Sequence, residues 1–314
     1  MPASAPAGRL LKERARFGCR RASQQSPRTT VARLPRYLNG RHTQRYPADV
    51  AAAAYGYDAA AVIVERTENP TWLSNAYLVA DEPGGRGVLI DGNDELGPLL
   101  ERAERDGIEI THVLVTHPHL DHVAGLAEAR ERLGDPPLVA HPEAAAELEE
   151  EVATTLADGE KLTTGGLEIE AISTPGHAAG HVAFLVNASD LFTADVLFKG
   201  TVGGTMAPGA SGFADLQASV MRLLELPPET RVHPGHREPT TIGEEWEGNP
   251  FVRIWRGLEQ TDEEEVTVWG RPATLKLWAP DYDGGNKAWI VFADDGLEAI
   301  VGGSQVERAA DDAS

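Results

Sequence analysis

The sequence predicts a layered α/β domain followed by a small β-rich extension. Two observations favour the layered domain: strand-like and helix-like segments alternate along the chain, and the alternation occurs in two successive halves. A third observation favours the extension, because the chain after residue 251 carries four short apolar runs separated by Asp-Gly and Gly-Gly turns. We therefore divide the chain into a tail at residues 1–58, a main domain at 59–251 and an extension at 252–314.

The tail differs from the rest of the chain in composition. It is rich in Arg, Ser, Ala and Pro, and residues 1–47 hold eleven Lys or Arg and one acidic residue. Because it shows no helical or strand period, it is predicted to be disordered. Three explanations stay open: a natural basic tail, an organellar transit peptide, or upstream sequence translated from a wrongly chosen start.

Charge, hydropathy and cysteine content exclude several classes of function. The formal net charge is −21, and residues 48–314 hold 17 basic and 48 acidic residues, so a nucleic-acid partner is not expected. No apolar run approaches the roughly 18 residues that span a bilayer, so no membrane role is expected. The single cysteine, Cys19, excludes an internal disulfide and a metal site built on thiolates. The cytoplasm is the expected compartment.

The first half of the main domain alternates between strands and helices. Its predicted strands lie at residues 61–64, 75–80, 87–91, 110–115 and 137–140. Its predicted helices lie at residues 96–105, 123–133 and 142–152. The second and third strands are joined by a Pro-Gly-Gly turn, which indicates that the sheet begins with antiparallel pairing.

The second half repeats the pattern, and the extension departs from it. The predicted strands of the second half lie at residues 167–172, 181–186, 191–194 and 230–233, with a helix at 213–226. The extension has predicted strands at residues 265–269, 273–278, 287–292 and 297–301. Five of the six Trp residues lie from Trp246 onward, and these large rings are expected to build the core of the extension.

The densest chemical motif of the chain follows the predicted strand at residues 110–115. Three imidazoles and a carboxylate lie within six residues, at His117, His119, Asp121 and His122. Imidazole and carboxylate groups are ligands that zinc, manganese and iron prefer. A turn at the end of a strand can direct several of them to one point, so the motif predicts a metal site.

Three further residues join this motif. His177, Asp195 and His236 each lie at a predicted strand end or in a Gly-containing turn, where a side chain can reach a shared cleft. With the first motif they make seven candidate ligands. Seven is the number that two metal ions need when each takes three ligands and one carboxylate bridges them.

These motifs, in this order, resemble the metallo-β-lactamase superfamily. Within it the chain is similar to the glyoxalase II-like (hydroxyacylglutathione hydrolase-like) metallo-hydrolases, on the matching segments at residues 192–198 and 239–245. The resemblance covers about residues 60–251. It implies a four-layer αββα sandwich, and it makes residues 59–251 the catalytic domain.

The resemblance also implies a role for each candidate ligand. His117, His119 and His177 would hold one metal ion, Asp121, His122 and His236 would hold a second, and Asp195 would bridge both. The implied cofactors are two divalent ions, zinc first, with iron or manganese as alternatives. A hydroxide bridging the two ions would be the nucleophile. Asp121 would also act as the catalytic residue that orients this hydroxide or relays its proton.

The function implied is hydrolysis of a small thioester or ester, as in glyoxalase II. Two alternatives stay open: a mononuclear iron enzyme that resembles persulfide dioxygenases, and a non-catalytic metal-binding scaffold. The expected partner is a small-molecule substrate, and the oligomeric state is open, with a homodimer among the options.

Departures from the sequence patterns of related families narrow the range of expected substrates. The only cysteine lies in the tail, which counts against β-lactam hydrolysis through a Cys ligand. Phe198 stands where lactone-cleaving relatives have a tyrosine. Residues 203–206 read Gly-Gly-Thr-Met where many glyoxalase II-like and persulfide dioxygenase enzymes have Gly-Arg-Thr-Asp. The missing Arg and Asp count against persulfide oxygenation and against ordinary recognition of a glutathione thioester.

Other polar residues near these motifs have expected supporting roles. His181, Thr116 and Thr174 are expected to form hydrogen bonds around the ligands rather than bind metal. Lys199 and Arg237 are candidates for contacting an anionic substrate, although a solvated surface position is the commoner role for such residues.

Overall fold

The structure is a computed structural model that describes residues 62–308. The predicted tail at residues 1–58 lies outside the described residues. Within them, no helix is both long enough and apolar enough to cross a lipid bilayer.

The first half of the main domain forms a six-stranded sheet in the order β1-β2-β3-β4-β5-β6. Its strands are β1 (Ile63–Glu68), β2 (Asn75–Ala80), β3 (Arg86–Ile90), β4 (Glu109–Val115), β5 (Leu138–Ala140) and β6 (Thr154–Thr155). The first three strands pair antiparallel, as the short turns between them predict, and the pairings from β3 to β6 are parallel. Its helices are α1 (Gly97–Asp106), α2 (Leu120–Val123), α3 (Leu126–Leu133) and α4 (Pro142–Ala145).

The second half forms another six-stranded sheet, in the order β14-β13-β10-β9-β8-β7. Its strands are β7 (Lys161–Thr164), β8 (Leu167–Ser173), β9 (Val182–Val186), β10 (Asp190–Ala194), β13 (Arg231–Pro234) and β14 (Thr240–Thr241). Between β10 and β13 lie a small hairpin, β11 (Leu197–Phe198) with β12 (Thr201–Val202), and the helix α5 (Phe213–Leu223). The helices α6 (Ile242–Gly248) and α7 (Pro250–Trp255) follow β14.

The two sheets pack face to face around one apolar core. Alternate residues of β2, β3 and β4 meet alternate residues of β8 and β9, and large side chains such as Phe184 and Phe192 are fully buried there. On the outer face of the first sheet, α1 and α3 bury Leu99, Leu100 and Leu126. On the outer face of the second sheet, α5, α6 and α7 supply the apolar cover. The predicted αββα sandwich is confirmed.

The extension is a five-stranded antiparallel sheet with a core of its own. Its strands are β15 (Glu264–Val268), β16 (Arg271–Pro280), β17 (Asn286–Phe292), β18 (Glu298–Gly302) and β19 (Val306–Arg308), in the order β18-β17-β16-β15-β19. Residues 303–305 form a short 3-10 turn. The four predicted strands are all present, and β19 completes the sheet. One face also packs against the main domain, where Trp289 stacks on Phe213 of α5 with ring centroids 5.1 Å apart.

Two predicted helices differ from the observed ones. The helix predicted at 142–152 ends at Ala145, because four glutamates at Glu147 and 149–151 would crowd the negative C-terminal end of a longer helix. The helix predicted at 123–133 is two helices, α2 and α3, separated at Gly125. The Gly125 N–H donates to the Gly92 oxygen at 2.7 Å instead of to the carbonyl oxygen four residues earlier, which interrupts the helical hydrogen bonds at this point. The predicted domain boundary at 251/252 falls inside α7 and stays a prediction.

Asp190, at the start of β10, provides a test of what holds the second sheet together. Its carboxylate is fully buried and accepts hydrogen bonds from Arg231 Nε at 2.7 Å and His233 Nε2 at 2.9 Å. Burial raises the pKa of Asp190, but the hydrogen bonds of His233 and Arg231 outweigh it and hold the pKa well below its ordinary value. We predict that Asp190→Asn lowers the free energy of unfolding by about 2–4 kcal/mol at pH 7.

The pH dependence of this loss follows from the direction of the pKa shift. A carboxyl with a depressed folded-state pKa stabilises the fold above its unfolded pKa of about 4 and loses that contribution as the pH falls through the folded value. The difference between Asp190→Asn and the wild type should therefore shrink below about pH 4. Urea unfolding at pH 7 and pH 3 measures it, and an undiminished difference at pH 3 would contradict this account.

Candidate metal centre

The structure brings all seven predicted ligand residues together at one edge of the sandwich. Within residues 62–308 they form three overlapping groups whose ligand atoms lie within 4.8 Å of one another. The groups are His117, His119 and His177; His117, His122 and Asp195; and Asp121, His122 and His236. His119 and Asp121 are half-buried and the other five are buried. Their role as metal ligands stays a prediction.

Four of these residues follow directly after one strand of the first sheet. β4 ends at Val115, and the chain turns through His117 and His119 into the short helix α2, which carries Asp121 and His122. His119 occupies the N-cap position of α2, in an extended conformation. The change from strand to helix within a few residues therefore points the imidazoles and the carboxylate into one cleft.

The second sheet delivers the other three. Asp195 directly follows β10, His177 lies in the turn between β8 and β9, and His236 follows β13. β10 and β13 are parallel neighbours, so their carboxyl ends reach the same edge. His236 also pairs with Ser74 in an isolated bridge, which connects the two sheets beside the cleft.

Two glycines permit the close approach of these segments. A Cβ at Gly235 would lie 2.2 Å from Asp195 Oδ1, and a Cβ at Gly203 would lie 1.9 Å from the Asp195 backbone oxygen. Any larger residue at either position would push Asp195 out of place.

Asp195 lies at the middle of the cluster. Its Oδ1 is 3.3 Å from His122 Nε2, and its Oδ2 is 3.4 Å from His177 Nε2 and 3.3 Å from His236 Nε2. One carboxylate therefore faces imidazoles from both of the ligand sets that the sequence predicts. This is the position that a bridging ligand needs.

Hydrogen bonds at the outer ring nitrogens assign the tautomers of four imidazoles. His122 Nδ1 donates to Asp91 Oδ2 at 2.9 Å, His177 Nδ1 donates to the Gly204 oxygen at 2.8 Å, and His119 Nε2 donates to the Pro208 oxygen at 3.1 Å. His117 Nδ1 lies 3.0 Å from Thr116 Oγ1, whose own proton goes to Asp91. In each neutral ring the remaining nitrogen carries a lone pair directed at the cleft.

Several of these inward-facing atoms have no hydrogen-bond partner among the described residues. His117 Nε2, His122 Nε2 and Asp195 Oδ1 are buried without a hydrogen-bond partner among the described residues. His119 Nδ1 and His177 Nε2 face each other at 2.9 Å, and two lone pairs at that distance repel unless a proton or a cation lies between them. Buried polar atoms are normally satisfied, so this donor set fits metal ions.

The pKa shifts describe the same centre electrostatically. Burial holds the pKa of His117 well below its ordinary value and lowers that of His177 to about 4, so both rings are neutral, as ligands must be. Burial also lowers the pKa of His122, but the Asp195 and Asp91 carboxylates outweigh it and hold the pKa well above its usual range. The centre therefore favours positive charge at its middle, which bound cations would supply.

Asp91 is a supporting residue that the sequence reasoning missed. It follows β3, is buried, and accepts hydrogen bonds from His122 Nδ1 and from both the Oγ1 and the backbone nitrogen of Thr116. Its φ is +59°, an uncommon conformation for this residue type. A carboxylate directly after a buried strand was the available signal.

The other expected supporting roles agree with the structure in part. His181 belongs to none of the three groups: its Nε2 accepts from the Asp195 backbone nitrogen at 3.2 Å, and its Nδ1 lies 2.8 Å from Thr174 Oγ1. The Arg237 guanidinium is held by other residues of the protein. Its Nη1 pairs with Glu68 Oε1 at 2.9 Å, and its Nε donates to the Tyr282 backbone oxygen. Lys199 is exposed.

The segment at residues 239–245, which resembles the glyoxalase II-like enzymes, helps to hold a hairpin next to the cleft. Thr241 caps α6 through its side chain, and the buried Glu245 accepts from Thr240 Oγ1, Asn249 Nδ2 and the Gly200 backbone nitrogen. Burial raises the pKa of Glu245. The segment therefore fixes the β11–β12 hairpin, which carries Phe198.

The extension reaches the centre through one ring that the sequence reasoning did not single out. Tyr282, in the turn between β16 and β17, stacks on His236 with ring centroids 4.3 Å apart and an interplanar angle of 16°. It also contacts Phe198, at 4.9 Å between centroids. Burial raises the pKa of the Tyr282 phenol well above its usual value, and the Asp195 and Asp281 carboxylates raise it further.

An αββα sandwich with His and Asp groups at one edge defines a class of metal-binding proteins. The sequence profile of the metallo-beta-lactamase superfamily matches residues 69–236, and this chain belongs to that superfamily. An uncharacterized protein of Mycobacterium tuberculosis is 33% identical over 206 residues, covering 57% of this chain and 92% of that one. A hydroxyacylglutathione hydrolase of Rhizobium etli is 33% identical over 218 residues, covering 56% and 81%.

Two solved structures share the fold. TTHA1623, solved in a di-iron-bound form, has a TM-score of 0.53 and 37% identity, covering 60% of this chain and 100% of its own. ETHE1 from Myxococcus xanthus has a TM-score of 0.54 and 30% identity, covering 63% and 91%. A large part of this chain therefore has no counterpart in TTHA1623.

We predict that Asp91→Asn weakens metal binding by about 10–100-fold, because a neutral amide no longer fixes the His122 and Thr116 orientations as strongly. Titration with a competing chelator measures the affinity. Asp94→Asn is a matched control, since Asp94 lies three residues away and pairs with Asn69 rather than with the centre. Equal affinities in Asp91→Asn and wild type would contradict the role given to Asp91.

Proposed function

We propose that this protein is a hydrolase that uses two divalent metal ions to cleave a small thioester or ester. One observation carries the proposal: seven imidazole and carboxylate side chains converge, and three of their inward atoms, His117 Nε2, His122 Nε2 and Asp195 Oδ1, are buried without a hydrogen-bond partner among the described residues. That arrangement is costly to maintain in a folded protein unless cations occupy it.

The residues divide naturally into two sets around a shared carboxylate. His117, His119 and His177 would hold one ion, and Asp121, His122 and His236 would hold the other. Asp195 would be shared, because its two oxygens face imidazoles of both sets. When bound, the ions would lower the pKa of coordinated water towards about 7 and polarise the carbonyl of a substrate.

Asp121 is the residue best placed to handle a proton. Its Oδ2 lies 3.5 Å from both His122 Nε2 and His236 Nε2, while Oδ1 makes no hydrogen bond or ion pair within residues 62–308. The side chain is half-buried, so Oδ1 can reach a water molecule or substrate in the cleft. We assign Asp121 Oδ1 as the atom that takes the proton of the attacking water and passes it to the leaving group.

The proposed substrate class is supported by the name of one relative and by exposed side chains near the centre. The Rhizobium etli protein is named a hydroxyacylglutathione hydrolase, which supports thioester chemistry for this chain. Two exposed apolar side chains lie close in sequence to residues of the centre: Leu120 stands between His119 and Asp121, and Met206 lies two residues after Gly204. A small acyl compound with an apolar group suits these neighbours better than a strongly anionic one, given the acidic composition of the chain.

A single-iron enzyme is a weaker candidate. A site built from two imidazoles and one carboxylate would leave a second set of inward-facing ligands unexplained. TTHA1623 was solved with two irons, which supports a pair of ions and makes iron an alternative to zinc for this chain.

Metal removal and ligand substitution test the proposal. We expect two metal ions per chain by mass spectrometry of the native protein, and hydrolysis of a panel of small thioesters and esters. Activity should fall at least about 10³-fold after chelation and in His119→Ala and Asp195→Ala, because each change removes a ligand.

The control is His141→Ala, which removes a histidine that caps α4 and belongs to none of the candidate metal groups. It should keep its metal and its activity. Full activity after quantitative removal of metal would contradict the proposal, and oxygen consumption with a persulfide at one iron per chain would favour the dioxygenase alternative. Bound metal with no turnover of any compound in the panel would favour a non-catalytic scaffold.

A further inference from the structure

The extension is joined to the metal centre at two points, and both are on the side of His177 and His236. At the first, β18 pairs with the loop that follows β12: Thr205 N donates to the Ile300 oxygen and Ile300 N donates to Thr205 Oγ1, both at 2.9 Å. The neighbouring Gly204 oxygen is the acceptor that orients His177. The extension therefore fixes a loop on which one candidate ligand depends.

The second point is the turn between β16 and β17, which places Tyr282 against His236. This turn lies outside the part of the chain that matches the superfamily profile, which ends at residue 236. The phenol ring therefore reaches the centre from a segment that the profile does not describe.

The turn is held rigidly on both sides of Tyr282. Asp281 pairs with Lys287 at 2.9 Å, and both side chains are at least nine-tenths buried. Tyr282 N donates to Asp281 Oδ1 at 2.9 Å, and Asp281 N donates to the Gly285 oxygen at 3.0 Å. Arg237 Nε donates to the Tyr282 oxygen at 3.3 Å, which ties the turn to the residue after His236.

The Tyr282 ring is fixed by packing, but its hydroxyl group has no hydrogen-bond partner among the described residues. The ring packs between His236 and Phe198, while Tyr282 Oη makes no hydrogen bond to any residue in the described range 62–308. The other tyrosine of this range, Tyr77, donates its hydroxyl to the Pro234 oxygen at 2.6 Å. A phenol that packs in a protein normally finds a partner for its O–H group.

Two of the carboxylates that act on the Tyr282 phenol, Asp195 and Asp121, belong to the centre. The geometric evidence for the position of the ring is its stack on His236, with centroids 4.3 Å apart. A phenol O–H group next to a candidate ligand, with no partner in the protein, is a hydrogen-bond donor that a bound molecule could use.

We propose that Tyr282 is a catalytic residue supplied by the C-terminal sheet, and that its hydroxyl donates a hydrogen bond to the carbonyl oxygen of the bound substrate. This inference rests on the proposed hydrolase function. The donor strengthens its bond as negative charge develops on that oxygen, so its contribution is larger in the transition state than in the substrate complex. The extension is then part of the active site rather than an appended domain.

The test compares Tyr282→Phe with Tyr282→Ala in the metal-loaded, full-length protein. Loss of one such donor typically costs about 10²–10³ in kcat. We expect Tyr282→Phe to lower kcat about 100-fold with KM within about threefold and with unchanged metal content. Trp269→Phe is the control, because it trims an exposed ring of the same sheet that contacts no residue of the centre.

Two results would overturn the proposal. One is a kcat of Tyr282→Phe within about twofold of the wild type. The other is a loss that appears in Tyr282→Ala alone, which would show that the ring packs against His236 but the hydroxyl does not act.

A binding measurement separates this inference from the proposed function. Acetohydroxamate presents an oxygen donor to paired metal ions and needs no turnover. We expect Tyr282→Phe to bind it about 10-fold more weakly than the wild type by calorimetry, and equal binding would overturn the inference. Absence of turnover in the wild type, with weaker hydroxamate binding in Tyr282→Phe, would contradict the hydrolase while leaving the Tyr282 contact supported.

Discussion

The buried carboxylate of Asp195 is the constraint on which the rest of the structure depends. Taking an anion out of water is costly, and this one is offset by imidazoles that approach it from both sheets. Burial raises the pKa of Asp195, but the imidazoles of His236 and His122 outweigh it and hold the pKa well below its ordinary range. Gly235 makes room for the carboxylate and Gly203 for the backbone oxygen of Asp195, and the two sheets meet where this residue lies.

The same constraint accounts for the surrounding network. In four of the five imidazoles the outer ring nitrogen is held by a carboxylate, a hydroxyl or a backbone oxygen, so the inner nitrogens of these rings have fixed directions. Asp91 fixes two segments of the first sheet, and the extension fixes the loop that orients His177. Chemistry at the edge of the sandwich therefore depends on residues from the main domain and from the C-terminal sheet together.

The sequence was sufficient for some of these features and not for others. The seven candidate ligands could be chosen because each lies at a strand end or in a Gly-containing turn. The strand periodicities predicted β1 to β5 of the first sheet and β8, β9, β10 and β13 of the second, but not the short strands β6, β7 and β14. The roles of Asp91 and Tyr282 were not predicted, because they depend on contacts with residues far away in the chain, His122 and His236. The helix predicted at 142–152 was wrong because its alanines favour a helix while the glutamates that follow oppose its continuation.

Anomalous diffraction from a crystal of the native protein tests the central claim most directly. Data collected on both sides of the absorption edge of the native metal would locate each ion independently of any activity. The account predicts two peaks about 3.5–4 Å apart, one between His117, His119 and His177 and the other between Asp121, His122 and His236, with Asp195 touching both. A single peak, or none in the cleft, would contradict it.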